Sequence, residues 1–482
     1  MAFVRKVKTA SGATAVQIAH KAYGRIIKIE HIGSAHTNDD LEILIALAGK
    51  QLQGSQMPLF VQAESSLKIN LRQSVSRLLF DTFLGQYNAI GFQQLSDDIF
   101  AYLCIARLVE PTSKLDSLRV LTGLGITGLS KDQLYRCLKQ IISKEYRKTI
   151  AQHCFSYANT SGISLVLYDV TTLYFEVQVE DDYRKPGMSK ERRLEPQIIV
   201  GLLVDQNGFP LGLHSFEGNT AETKTILPVI EAFKKQHGLS GITVVADAGM
   251  LSSKNLEALT TAGYTYIVGS RLHKIPYDVT EYQKIGELTD KQIITTQLVD
   301  GQRIIYQYRE KRAALDIRNI EKQIAKAEKI ISGKTADRKA KFLNVKTKEK
   351  KLNQELIAKA KALAGIKGYV TNLAIPDDQV ISYYHQLWHV EQSFRMSKSD
   401  LKARPIFHHK RDSIEAHLTI VLAALAIGKL IEKRTGMSIK RFISTMRPIR
   451  SGTVVINGKE YQAEAELSTQ VKAIMQKLQP GH

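Results

Sequence analysis

The chain has 482 residues, 44% of them apolar and 24% charged, proportions that exclude a disordered polypeptide and leave room for several domains around a sizeable core. Lysine and arginine number 67 against 47 acidic residues, a formal net charge of +20 with a pI near 9.6. A surplus of that size points to a polyanionic partner, nucleic acid ahead of an anionic membrane surface.

The three cysteines, Cys104, Cys137 and Cys154, lack zinc-ligand spacing and read as buried thiols in a reducing cytoplasm. The N-terminal stretch has no apolar signal core. The longest apolar run, residues 418–427, is about half of the ~20 residues a membrane span needs, so it reads as a buried helix and no membrane partner is expected.

Residues 1–35 alternate loosely around Gly12, Gly24 and Gly33, which predicts a small strand-turn-strand module. From Asp39 to Ala158 helical periodicity dominates, so 1–158 is expected to be a mostly helical region. Within it Pro111, Thr112 and Ser113 open one helix, Gly123, Gly125 and Gly128 break the chain, and Ser130 is placed to cap a helix over 131–142. With Lys131, Arg136 and Lys139 facing outward, this pair reads either as a helix-turn-helix that binds DNA ends or as two packed helices with ordinary surface cations.

The pattern then changes. Runs over 163–168, 197–204 and 211–216 are apolar or β-branched, the last two separated by Asp205-Gln206-Asn207-Gly208. A helix over 222–237, a strand over 242–246, a helix over 253–262 and a strand over 264–269 follow. This order predicts an α/β domain, a mixed sheet flanked by helices, whose first part covers 159–274. Residues 275–366 interrupt it, and within them 309–365 carry 17 Lys and Arg against 7 Asp and Glu. Ile317, Ile320, Ile324, Ala327 and Ile331, then Leu352, Leu356 and Leu363, flank Ser332-Gly333-Lys334 at helical spacing. A basic helical hairpin is therefore expected there, serving either as a DNA-gripping arm or as a solvated charged surface. The second part of the domain, 367–431, resumes with a strand over 368–372. A helix opened by Pro376, Asp377 and Asp378 follows, with Val380, Tyr383, Leu387, Val390 and Phe394 as its apolar stripe. A buried helix over 414–431 precedes a tail, 432–482.

Three carboxylates stand out. Asp169 and Asp247 each end a predicted strand, from which an acid either projects toward a ligand or caps the next turn. Glu391 lies beside the apolar stripe, one turn from Leu387 and Phe394, where a carboxylate is costly unless it is paired or binds a cation. Tyr384, Arg395 and Lys398 share its face. Three converging carboxylates can hold two divalent cations that activate an attacking water or 3′-hydroxyl and stabilise the leaving oxygen in phosphoryl transfer. Magnesium suits such oxygen ligands.

With these motifs in view, the chain resembles bacterial insertion-sequence transposases of the DDE class, which have a ribonuclease H-like fold. Within that class it is similar to the branch marked by Tyr-x2-Arg-x3-Glu-x6-Lys. The motif falls on Tyr384, Leu387, Glu391 and Lys398, so the Arg position holds Leu387, and Arg395 is a candidate to compensate. Glu217-Gly218-Asn219-Thr220, Thr371-Asn372-Leu373 and Arg404-Pro405 add to the resemblance, which spans about residues 160–430. It implies an enzyme that binds terminal inverted repeats, nicks the element's end to free a 3′-hydroxyl and joins that end to target DNA. It further implies Asp169, Asp247 and Glu391 as catalytic ligands of two Mg2+, with Mn2+ substituting. Tyr384 and Lys398 would be DNA contacts, and the enzyme would act as a homodimer or larger assembly on paired ends. In that fold the first and fourth strands are neighbours, which would bring Asp169 and Asp247 together. A metal-dependent nuclease without strand transfer and a captured transposase that only binds DNA stay open as alternatives. Trp388 reads as core packing, His408 and His409 as a polar loop near DNA, Asp181 and Asp182 as solvated, and Glu176 as an outside supporting acid.

Overall fold

The computed structural model describes residues 2–53, 69–159, 163–176, 180–187, 195–239, 241–250, 252–270, 272, 276–298, 301–334, 340–344, 351–404, 406 and 408–479. They fall into two units: Met1–Asn70 with Val455–Lys459, and Leu71–Val454 with Glu460–His482.

In the first unit β1 (Ala2–Lys8), β2 (Thr14–Ala22) and β3 (Arg25–Ala35) form an antiparallel meander followed by α1 (Asn38–Gln53). Alternation puts Val16 and Ile18 on one face, and they pack with Ala48, Leu41 and Leu44 of α1. The expected strand-turn-strand is thus a three-stranded layer closed by a helix. Two strands alone have nothing to cover their apolar face.

β4 (Ile69–Val75) begins in the last two residues of the first unit's main segment and leads, in the second unit, into α2 (Arg77–Ile90), α3 (Asp98–Val109), α4 (Ser117–Gly123), α5 (Lys131–Ser143) and α6 (Tyr146–Ala158). Ser130 caps α5 reciprocally with Gln133, as the pattern predicts. Cys104, Cys137 and Cys154 are buried and free.

The main sheet opens with three antiparallel strands, β5 (Leu165–Tyr174), β6 (Gln197–Asp205) and β7 (Pro210–Glu217). After α7 (Ile226–His237), β8 (Thr243–Ala246) returns beside β5 in parallel register, Tyr168 opposite Ala246. Next come α8 (Ser253–Thr261) and β9 (Thr265–Ser270), parallel to β8. Val166, Tyr168 and Val170 pack on α7 and α8, while Leu165, Leu167 and Leu173 join the helical core on the other face. A strand buried on both faces reads as a nearly continuous apolar run, as β5 does.

The insertion is more than a helical hairpin. It begins with α9 (Tyr277–Ile285), β10 (Ile293–Gln297) and β11 (Arg303–Tyr308), then α10 (Glu310–Ile331), the short pair β12 (Leu343–Asn344) and β13 (Lys351–Leu352), and α11 (Gln354–Ala362). β14 (Ile366–Thr371) pairs with β9 on one side and β11 on the other. The insertion therefore extends the sheet, whose order is β10-β11-β14-β9-β8-β5-β6-β7. The β-branched pair Ile304-Ile305, with Tyr306 after it, explains why this stretch pairs rather than coils. Residues 335–339 and 345–350 of the expected hairpin lie outside the described residues.

The single helix expected after Pro376 is divided into α12 (Asp377–His385) and α13 (Trp388–Arg395), with a π turn over Met396–Asp400. Between them Gln386 and Leu387 bond back only three residues, to Tyr383 and Tyr384, which tightens the backbone and re-aims α13. α14 (Arg411–Thr435) is long and apolar enough to cross a membrane, yet 89% of that stretch is buried inside the protein, so here it is a core helix. The tail expected from 432 begins inside α14 and continues through α15 (Ile439–Met446), β15 (Ser451–Ile456), β16 (Lys459–Ala463) and α16 (Thr469–Leu478). β16, β15 and β4 form a small sheet in that order.

Candidate active site

Side-chain alternation along β5 gives Asp169 the same face as Leu165 and Leu167, the face covered by α12, α13 and α14. Expected at the strand's exit, Asp169 instead sits in mid-strand. The β-branched residues Val170, Thr171 and Thr172 carry β5 on to Tyr174, paired with β6 throughout. The Asp169 side chain is half-buried and its Oδ1 accepts the Val170 N–H at 2.8 Å. Asp247 directly follows β8 and is exposed. Glu391 is exposed in the first turn of α13, where the helix dipole favours an acid.

All three acids line one cavity of about 260 Å³, together with Lys367, Tyr384, His385, Leu387, Trp388 and Val390. Tyr384 is buried, and its hydroxyl donates to Asp247 Oδ1 at 2.8 Å. Burial first, then the Asp247 charge and this hydrogen bond, hold the phenol far above its usual pKa, so it stays a donor. Gly269 on β9 makes the approach possible, because a Cβ there would lie 2.6 Å from the Tyr384 hydroxyl.

Lys367 is a site residue that periodicity alone does not single out. It is half-buried on β14, with its ammonium 4.3 Å from the centroid of the Tyr384 ring. Burial, then Arg312, lower its pKa, and Asp247 and Glu391 oppose that shift. The available signal was a lone cation in the strand run Ile366-Lys367-Gly368-Tyr369-Val370.

A second space of about 590 Å³ shares Asp247, Lys367 and Tyr384 with the first. Arg312, Asp316, Asn319 and Gln323 of α10 form one wall, so the basic insertion borders the space beside Asp247.

The other expected site residues do not line the acid cavity. Arg395 is exposed and Lys398 half-buried in the π turn, while Lys131 and Arg136 are exposed on α5. Trp388 is not core packing. It is 49% exposed, lies against the His389 ring at a tilt and lines the cavity, because the break before α13 turns it off the apolar stripe. Asp181 is paired with Arg184 at 2.8 Å rather than simply solvated, Asp182 and Glu176 are exposed, and Pro405 lies outside the described residues. His408 faces His417 rather than solvent alone, their rings 5.6 Å apart, while His409 is exposed.

Three carboxylates are hard oxygen donors, and their chemistry fits a divalent cation of the magnesium type. Among the described residues no three His, Cys, Asp or Glu side chains already form a closed metal-binding group. Asp169, Asp247 and Glu391 share a cavity, then, with looser spacing than a finished cage.

Residues 160–427 match the transposase DDE domain family, more than half of the chain, and the chain belongs to that family. Membership makes it a transposase, an enzyme of the polynucleotidyl-transfer type. No curated protein matches the chain in sequence. Among solved structures, a piggyBac transposase synaptic complex with hairpin DNA is similar over 84% of this chain and 73% of that chain, at 11% identity and a TM-score of 0.40. So slight a likeness carries no residue roles.

Proposed function

We propose that the protein is an insertion-sequence transposase with a ribonuclease H-like catalytic domain, in which Asp169, Asp247 and Glu391 hold two Mg2+ for cleavage and strand transfer at the element's ends. The observation that carries this reading is the meeting of three acids from β5, β8 and α13 on one cavity, although 222 positions separate the first from the last. The strand order β7-β6-β5-β8-β9, antiparallel then parallel, supports the fold assignment.

Bound metal would supply the activation of a water or 3′-hydroxyl and the neutralisation of the leaving oxygen. The chain's own residues do the rest. Asp169 is fixed by its strand and by the Val170 amide. Tyr384 orients Asp247 by donating to its Oδ1, and Asp247 would be one of the residues that hold the metal. This replaces the expected role of Tyr384 as a DNA contact, since its ring is buried and its hydroxyl committed. Lys398, Arg395, Lys131 and Arg136 lie outside the cavity and serve the flanking DNA backbone. The wall of α10 across the space from Asp247 favours the DNA-gripping reading of the insertion. A homodimer on paired ends completes the proposal.

The test is cleavage of duplex fragments taken from the DNA flanking the gene, with and without Mg2+. Joined products distinguish strand transfer from a plain nuclease. If the triple variant Asp169→Ala, Asp247→Ala, Glu391→Ala still cuts in Mg2+, the site is misassigned. A parent protein that binds the fragments and cuts none of them in either Mg2+ or Mn2+ leaves the DNA-binding reading.

A further inference from the structure

Lys367 is an expensive residue where it stands. Its ammonium is partly withdrawn from water, beside Arg312, on a strand whose next residues are packed core. Placing a cation there costs solvation that must be offset locally. No hydrogen bond or ion pair holds the ammonium among the described residues. What faces it is the Tyr384 ring at 4.3 Å, the Tyr369 ring at 5.6 Å, and the charges of Asp247 and Glu391. The aromatic faces attract a cation without using its three N–H donors. Lys367 also lines both the acid cavity and the space along α10, so it stands in the wall that the two share.

We infer that Lys367 has two linked roles: it is the built-in counter-charge of Asp247 and Glu391, and it grips the phosphodiester that enters the cavity. The first role follows from its positive charge beside two negatively charged acids. The second follows from its unspent donors, which suit a phosphate oxygen as a point-charge contact. A cation that serves both partners competes with metal for the acids while no DNA is bound. It then exchanges the carboxylates for the phosphate when DNA enters with its metal ions. This rests on the acid triad being the reaction centre.

The inference predicts that Lys367→Met binds Mn2+ more tightly than the parent in the absence of DNA. Mn2+ titration followed by electron paramagnetic resonance should show an affinity gain of about tenfold, the size expected when a unit positive charge leaves a partly screened site. Cleavage of the same duplex should fall by about tenfold or more, and the salt slope of DNA binding should flatten by about one phosphate contact. Lys367→Arg should keep most of the activity. Leu387→Arg added to Lys367→Met should recover part of it, since Leu387 lines the same cavity.

Unchanged Mn2+ affinity in Lys367→Met overturns the counter-charge role, and unchanged cleavage overturns the phosphate role. Circular dichroism checks the fold, with Lys367→Gln as the second variant if the methionine protein is not native. Asp247→Asn separates the role of the triad from that of Lys367. If it cuts normally the triad itself is wrong, whereas an inactive Asp247→Asn beside an unaffected Lys367→Met removes only this inference.

Discussion

The cavity lined by Asp169, Asp247 and Glu391 keeps two of its three acids exposed to water. A second concentration of charge, Arg107 on α3, Lys114 before α4, His417 on α14 and His408 ahead of it, is handled in the opposite way. Arg107 and Lys114 are each 7% exposed, and neither has a carboxylate partner among the described residues. Lys114 Nζ lies 3.2 Å from His417 Nδ1, and His417 Nε2 lies 3.3 Å from the Ala403 carbonyl. Burial pulls Lys114 well below the usual ammonium range, Arg107 to about 10 and His408 to about 4, and holds His417 well below an ordinary imidazole. One region leaves two of its acids in water, whereas the other buries its basic groups and lowers the pKa of each. The acids should therefore matter to chemistry and little to folding, and the buried basic groups the reverse.

The largest effect that could break this contrast is at the acids. Asp169→Asn, Asp247→Asn and Glu391→Gln should each lower cleavage by about 10³-fold or more, which is ~4 kcal/mol of barrier. Their unfolding midpoints should stay near the parent's. A variant that loses stability in step with activity would show that its acid is structural. Smaller effects come from the group that holds Asp247. Gly269→Ala puts a Cβ 2.6 Å from the Tyr384 hydroxyl and 3.1 Å from Ala248 Cβ. Overpacking of this kind should cost about 1–3 kcal/mol of stability. Tyr384→Phe, which removes only the hydroxyl, should spare stability and lower cleavage by about tenfold, equivalent to one hydrogen bond to a charged group. Equal activity loss in the two variants without any stability difference would mean that the glycine does not act through packing.

How much of this was legible in the sequence depends on how far each signal reaches along the chain. Asp247 after a short apolar strand and Glu391 on its helix face are local patterns, and both are where periodicity puts them. Asp169 is legible as an acid of β5 but not in its place on it, because the end of the apolar run is not the end of the strand. Val170, Thr171 and Thr172 continue β5 with mixed polarity. The insertion's charge count draws attention to α10 and away from β10 and β11, whose pairing partner β14 lies beyond it in the chain. Lys367 escapes notice because its meaning comes from Asp247 and Glu391, each distant in sequence. The same holds for Arg107, Lys114, His408 and His417, which become a cluster only once α3 packs against α14. Contacts that close long loops leave no periodic trace.

Lys114 tests the suppressed side of the contrast. The groups around it are Arg107, Cys104 and Cys137, with His417 as its hydrogen-bond partner. Its folded pKa is lowered from 10.5, so the unfolded chain binds that proton more tightly than the native one. The resulting cost to stability is absent above pH 10.5 and grows as pH falls toward the folded pKa. Lys114→Met removes this cost along with one hydrogen bond, worth ~1 kcal/mol in the other direction. Replacing a buried charge by an apolar group of similar length is often neutral or stabilising. Thermal unfolding should therefore give Lys114→Met a midpoint equal to or above the parent's at pH 7, with any advantage gone by pH 10.5. Removing Lys114 also takes a positive neighbour from His408 and His417, so destabilisation between pH 6.5 and about 4, where His408 gains its proton only on unfolding, should become shallower. A clear drop in the midpoint at pH 7 would show instead that the Lys114–His417 contact is a net support of the fold, and the contrast between the two charged regions would then be one of location alone.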